Sequence, residues 1–183
     1  MSKKVLFIIG SMRKDSFNRQ LSDMAEKLLG GAEVSRLEYS DIPFMNQDIE
    51  FPAPARIAEI RAQVAAADGI WIFSPEYNYS YPGVLKNLLD WLSRPLKPND
   101  YASGTAVTGK KVTVSSAAGK SAGAGSREKL LELLGKMGMN VVGTPAVGVA
   151  VNGESWGSGR LVLEENDEKQ LRAQAAAFLA AME

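Results

Sequence analysis

Val5-Leu6-Phe7-Ile8-Ile9 is an unbroken apolar run of β-branched and aromatic residues, the pattern of a strand covered on both faces. Leu21, Met24, Ala25, Leu28 and Leu29 then recur at helical spacing, and Gly30-Gly31 stops that helix. Residues 33–37 alternate as a second strand. The stretch 41–54, with Pro43, Pro52 and Pro54, reads as a surface connection. Ile57, Ile60 and Val64 carry a second helix, and Ile70-Trp71-Ile72-Phe73 is a third buried strand. Pro82 is placed to open a helix bearing Leu85, Leu88, Leu89 and Leu92. A long connection punctuated by Pro and Gly fills 95–110, and a fourth strand over 112–115 runs into the small-residue segment 117–125. Leu130, Leu131, Leu134 and Met137 mark a fourth helix. A fifth strand between 141 and 151 is interrupted by Gly143, Pro145 and Gly148, and Leu171, Ala175, Phe178 and Met182 mark a closing helix.

Strand and helix thus alternate five times, with no internal repeat and no composition shift across 1–183. The expectation is one α/β domain, a parallel sheet with helices on both faces. Right-handed crossovers leave chiefly the flavodoxin-like order 2-1-3-4-5 or a Rossmann half. In either, a ligand sits beyond the carboxyl ends of the strands, at the switch point between strands 1 and 3. The loops after Ile9, Phe73 and Ser115 are the ones that matter.

Composition narrows the chemistry. The chain has no Cys and no His, which removes disulfides, thiolate nucleophiles, Cys-based metal sites and imidazole bases. No metal site is expected. Its 21 basic and 21 acidic residues cancel, giving no global pull toward nucleic acid or an anionic membrane. No apolar run reaches spanning length, and the N-terminal run is too short for a signal-peptide core, so a cytoplasmic location is expected. Redox or transfer chemistry would have to come from a bound cofactor.

Gly10-Ser11-Met12-Arg13-Lys14-Asp15-Ser16-Phe17-Asn18, between strand 1 and helix 1, supplies hydroxyls, a guanidinium, an amide and the free N–H groups of a helix start. Those donors suit a phosphate. The alternative is that Ser16 only caps the helix and Arg13 is solvated. Ser74-Pro75-Glu76-Tyr77-Asn78-Tyr79-Ser80-Tyr81-Pro82-Gly83 brings three tyrosines to a strand end, where they can frame a flat ligand while loop amides bond its polar edge. Against this stands burial of the same rings on neighbouring helices, with Glu76 a structural acceptor. Ser115-Ser116-Ala117-Ala118-Gly119-Lys120-Ser121-Ala122-Gly123 is small enough for close backbone approach, or is a plain connection. Gly104 to Lys110 has the spacing of a phosphate loop, but Lys111 stands where Ser or Thr is required and a strand follows. The first loop is not GxGxxG either. Phosphate at one loop and a planar group at another fit a mononucleotide such as FMN best.

The first loop resembles the pattern GS-[LM]-R-x-x-S-x-N, and Pro75 to Arg94, PEYNYSYPGVLKNLLDWLSR, resembles PEYN-x-S-x-PG-x-LKN-x-x-D-W-x-SR. Both belong to the NADPH-dependent FMN reductases, which include bacterial chromate and quinone reductases. The resemblance implies a flavodoxin-like fold with bound FMN, and NADPH or NADH as electron donor. It implies that Ser11, Arg13, Ser16 and Asn18 hold the phosphate, beside Phe17, and that Pro75, Glu76, Tyr77 and Asn78 surround the isoalloxazine, mostly through backbone. Ser115, Ser116 and Gly119 match the third flavin loop, which is stretched here.

The implied activity is hydride transfer from NAD(P)H through FMN to a small-molecule acceptor: a quinone, an azo compound, chromate or free flavin. No side chain is required as a catalytic acid or base. The alternative is a flavodoxin-type electron-transfer protein without its own NAD(P)H turnover, although such carriers are expected to be acidic. The family also implies a homodimer or homotetramer. Val84, Leu85, Leu88, Leu89, Trp91 and Leu92 exceed one helical stripe, so the third helix is expected near the contact.

Overall fold

The computed structural model describes residues 2–143 and 145–183. Its elements run β1 (Lys4–Ile9), α1 (Phe17–Leu28), β2 (Glu33–Arg36), α2 (Ala55–Ala66), β3 (Gly69–Phe73), α3 (Gly83–Leu92), β4 (Lys111–Ala118), α4 (Ala124–Lys136), β5 (Asn140–Val141), β6 (Gly148–Ala150), α5 (Gly153–Ser158) and α6 (Glu165–Ala180). The sheet has the order β2-β1-β3-β4-β5, every pair parallel, with β6 also on β4. This is the flavodoxin-like order expected from the sequence.

Successive strand residues point to opposite faces, which divides the core in two. Leu6, Ile8, Ile70, Ile72, Val112 and Val114 pack against the leucines of α3, with Ile60 and Val64 of α2 and Leu130 and Leu134 of α4. Val5, Phe7, Ile9, Trp71 and Phe73 face Leu21 and Ala25 of α1 and Leu171, Ala175 and Phe178 of α6. On that second face Trp71 lies flat on Phe73, with Phe7 and Phe178 set edge-on to it.

The interrupted fifth strand is two short ones. β5 pairs with Lys111 and Val112, β6 with residues 116–118, and between them the edge of β4 has no strand partner among the described residues. A side chain takes that place: the Gln174 amide donates from Nε2 to the Val114 carbonyl (2.9 Å) and the Thr113 hydroxyl (2.8 Å). Its Oε1 accepts from Ser115 Oγ (2.7 Å), which itself accepts from Trp71 Nε1 (3.0 Å). Every member of this chain is buried.

Two expectations change. The surplus apolar face of α3 is covered by the chain itself, not left for a partner. Trp91 has no exposed surface and donates from Nε1 to the Pro43 carbonyl (2.9 Å); Asn87 donates to the same carbonyl (3.0 Å) and accepts from Met45 N–H (2.8 Å). Arg94 then fastens the same connection through a two-pronged ion pair with the buried Glu50 (2.8 and 3.0 Å). Secondly, α5 has no apolar periodicity to announce it. Its signal is Asn152, whose Oδ1 accepts from Ser155 N–H (2.9 Å) as an N-cap. The Lys110 of the false phosphate loop caps the other end of a helix, donating to the carbonyls of Ala65 (2.7 Å) and Ala67 (2.6 Å) at the end of α2.

Candidate functional site

The carboxyl ends of β1, β3 and β4 open into a cleft of about 300 Å³. Ser11, Arg13, Ser16, Phe17, Asn18, Pro75, Glu76, Tyr77 and Gly119 line it, so three loops far apart in sequence converge where the topology reverses. Ala117, Ala118, Val151 and Trp156 complete the wall.

The loop after β1 is built around a helix start. Ser16 has extended backbone (φ −73°, ψ 143°), and its Oγ accepts from Arg19 N–H (3.0 Å), the N-cap arrangement. The N–H groups of Phe17 and Asn18, in the first turn of α1, have no intrahelical carbonyl to reach and carry the positive end of the helix dipole. Ser11 is buried and accepts weakly from Arg13 N–H (3.4 Å). The Arg13 guanidinium is exposed and lies over the Phe17 ring, 5.1 Å from its centroid. Among the described residues it makes no ion pair. Asn18 is different. Its amide donates to the Ala117 carbonyl (2.8 Å) and accepts from Ala117 N–H (2.9 Å), so it ties α1 to the end of β4.

The loop after β3 is a tight hairpin. Tyr77 and Ser80 exchange both backbone hydrogen bonds (2.8 and 3.1 Å), and the residues between them, Asn78 (φ 50°) and Tyr79 (φ 60°), are both left-handed. That is the signature of a type I′ turn, which Asn tolerates well and Tyr poorly. The surroundings fix it. Glu76 accepts from Ser121 Oγ (2.6 Å) and from Ser126 N–H (3.0 Å) at the start of α4, and Lys129 donates to the Tyr79 carbonyl (2.6 Å). The Ser121 hydroxyl, followed by the N–H groups of Ser126 and Gly125 and the nearby charge of Arg127, holds the Glu76 carboxyl below the usual carboxylate range. Gly125 is required here: a Cβ would come within 2.8 Å of the Tyr79 carbonyl oxygen.

Ser115 and Ser116 do not line the cleft, which corrects the sequence reading. Both lie on β4, which extends to Ala118, and both hydroxyls are used inside the protein. Ser115 joins Trp71 to Gln174, and Ser116 donates to the Ser74 carbonyl (2.5 Å). Asn78 is exposed at the hairpin tip and is also absent from the lining; its contribution is the turn conformation. The residues that reasoning from sequence missed are Val151 and Trp156, brought in by β6 and α5. A larger cavity of about 450 Å³ lies along the flank formed by α1, α6 and residues 161–163. It is lined chiefly by aliphatic side chains, from the carboxyl half of α1 on that side, and away from the strand ends.

No helix among the described residues is long and apolar enough to cross a membrane. A family model described as NADPH-dependent FMN reductase matches residues 3–153. A 2-hydroxy-1,4-benzoquinone reductase from Burkholderia sp is 41% identical over 96 residues, covering 52% of this chain and 52% of that protein. The quinone reductase of Escherichia coli (strain K12) is 43% identical over 100 residues, 51% of this chain and 53% of its own. The chain spans about half the length of the curated relatives it matches. Among solved structures, the flavoenzyme NAD(P)H:(acceptor) oxidoreductase FerB from Paracoccus denitrificans matches with a TM-score of 0.84 at 29% identity, over 98% of this chain and 97% of FerB. The family match takes in every described strand and all three loops of the cleft, and the chain belongs to the NADPH-dependent FMN reductase family.

Proposed function

We propose that this protein is an NAD(P)H-dependent oxidoreductase that holds FMN in the cleft and reduces a quinone, the whole chain serving as one FMN-binding domain. The observation that carries the reading is the donor set at the start of α1. Ser11, Arg13 and the N–H groups of Phe17 and Asn18 lie together, unopposed by any carboxylate of their own loop that pairs with Arg13. Such a set fits a phosphate monoester, and the cleft continues from it to the Pro75, Glu76 and Tyr77 wall, whose backbone can meet the edge of a flat ring.

Bound there, FMN supplies hydride acceptance from NAD(P)H and two-electron transfer to the acceptor. The chain's own work is to bind and orient. Ser11, Arg13 and the helix start hold the phosphate, each charge-assisted bond contributing about 1.5–3 kcal/mol. The clamped hairpin fixes one wall of the ring site. Glu76 stays ionised, with its oxygens already accepting hydrogen bonds, and so positions the hairpin without serving as a proton donor. The relatives named as quinone reductases support the acceptor class. Assembly as a homodimer or homotetramer is part of the same proposal, supported by exposed apolar side chains beside α3, Phe44 at 85% above all.

The test is the spectrum and turnover of the purified protein. The expected result is a yellow protein carrying FMN that oxidises NADPH or NADH continuously when 1,4-benzoquinone is present. A protein that neither carries nor takes up FMN overturns the cofactor assignment. One that binds FMN but does not turn over NAD(P)H is an electron carrier instead.

A further inference from the structure

Of the three tryptophans, Trp71 and Trp91 have no exposed surface, whereas Trp156 is 60% exposed on the rim of the cleft. It is not carried there on a loose loop. Asn152 Oδ1 accepts from the N–H (2.9 Å) and the hydroxyl (2.8 Å) of Ser155, and Val162 N–H donates to that hydroxyl (2.9 Å). From α1, Gln20 donates to the Gly159 carbonyl (2.9 Å) and accepts from Leu161 N–H (2.7 Å). The segment around α5 is therefore bolted to α1, with its one large side chain left facing the opening. The indole meets the Phe17 ring edge-on, centroids 5.2 Å apart at 87°. Phe17 in turn carries the Arg13 guanidinium 5.1 Å from its centroid.

Arg13, Phe17 and Trp156 thus form a ladder along one rim, and its outer member is the cation without an acidic partner among the described residues. An exposed arginine that grips an anion loses the rotamer freedom of its long side chain, which weakens binding. A ring held beneath the guanidinium restricts that freedom beforehand, and the face of Phe17 attracts the cation. Phe17 opens α1 and is itself buried with the core of that face, and the ring that meets it edge-on at the cleft rim is Trp156.

We propose that Trp156 is a positioning residue for the phosphate end of the mononucleotide: through Phe17 it pre-orders Arg13, and so gives the cleft its preference for a phosphorylated over an unphosphorylated flavin. This rests on the FMN reading of the cleft. The ladder acts on the charged group alone, which distinguishes it from a generally stabilising contact.

The test is calorimetric titration of the full chain, freed of flavin, with FMN and with riboflavin. Trp156→Ala is expected to weaken FMN by about five- to tenfold and riboflavin by less than about twofold, in line with the loss of one edge-to-face aromatic pair. Trp156→Phe, which keeps an aromatic edge, is expected to restore most of the difference. In an Arg13→Ala background the Trp156 substitution is expected to add less than about twofold, because the group it positions is gone. Unchanged FMN affinity in Trp156→Ala, equal losses for both flavins, or full additivity with Arg13→Ala each overturn the proposal. A wild-type chain that takes up neither flavin overturns instead the reading on which it rests.

Discussion

The loops after β1 and β3 flank the same cleft, yet they treat their polar groups in opposite ways. In the β3 loop the groups that set the hairpin have partners within the protein: Glu76 on Ser121 and Ser126, the Tyr79 carbonyl on Lys129, Ser74 beside Ser126. In the β1 loop Arg13 is exposed without an ion pair among the described residues, and the α1 start leaves N–H groups pointing outward. One loop is a finished wall and the other an open socket. Removing a group from the wall should therefore cost stability, whereas removing one from the socket should cost affinity.

The sharpest break in that contrast comes from behind the wall. Ser115→Ala would leave Trp71 Nε1–H and Gln174 Oε1 buried without that partner, and two such groups cost about 2–6 kcal/mol. The expected outcome is a lower urea midpoint with an unchanged slope, and FMN affinity within about threefold of wild type at temperatures where the variant is folded. A loss of affinity without a loss of stability would return Ser115 to the binding site.

In the socket, Arg13→Ala is expected to leave the unfolding free energy from urea titration within about 0.5 kcal/mol, as for an ordinary surface change. FMN affinity should fall by about ten- to a hundredfold, the equivalent of 1.5–3 kcal/mol, with riboflavin scarcely affected. Equal losses for the two ligands would mean that Arg13 acts through the fold.

The hairpin tip gives a smaller effect with a signed series. Asn78→Gly should match wild type within a few tenths of a kcal/mol, since glycine adopts φ near +50° freely, while Asn78→Ala should cost about 1 kcal/mol in stability. Asn78→Pro cannot adopt that φ at all and should lose both flavin and the hairpin. Identical melting temperatures for the Gly, Ala and Pro variants would show that the turn has no fixed conformation.

The smallest effect is at Glu76. Because the Ser121 hydroxyl and the α4 amides favour its ionised form, its stabilisation is complete above the carboxyl range of the unfolded chain, about pH 4. It fades as the pH falls further, through the lower folded value. Glu76→Gln should accordingly be less stable than wild type at pH 7 and converge with it in acid, with turnover reduced by less than about tenfold. A thousandfold drop in turnover with flavin retained would identify Glu76 as a proton donor after all.

Much of this architecture was legible along the chain because strands buried on both faces are written as continuous apolar runs. What was not legible depended on which way a hydroxyl turns. Ser115 stands where the expected strand gives way to the third loop, but β4 continues past it, and the Gln174 that claims it lies on the last helix. Asn18 sits within the phosphate motif yet spends both amide atoms on Ala117. The α3 surplus pointed to a second subunit because nothing local shows that residues 43–45 fold back over Trp91. Trp156 was hidden for a similar reason, since its partner Phe17 lies at the other end of the chain.

The gap in the last strand has a consequence for self-association. The edge of a β-sheet is a template on which another chain can add, and long flat edges invite aggregation. Here the β5–β6 edge offers two residues, then an interruption containing Gly143 and Pro145, then three more. Within that interruption the Val114 carbonyl of β4 is already taken by the Gln174 side chain. A strand arriving from solution would find no continuous ladder among the described residues on this side. Edge-to-edge pairing on this side is blocked at its first step by a single glutamine, which leaves the four-residue β2 as the sheet's other edge.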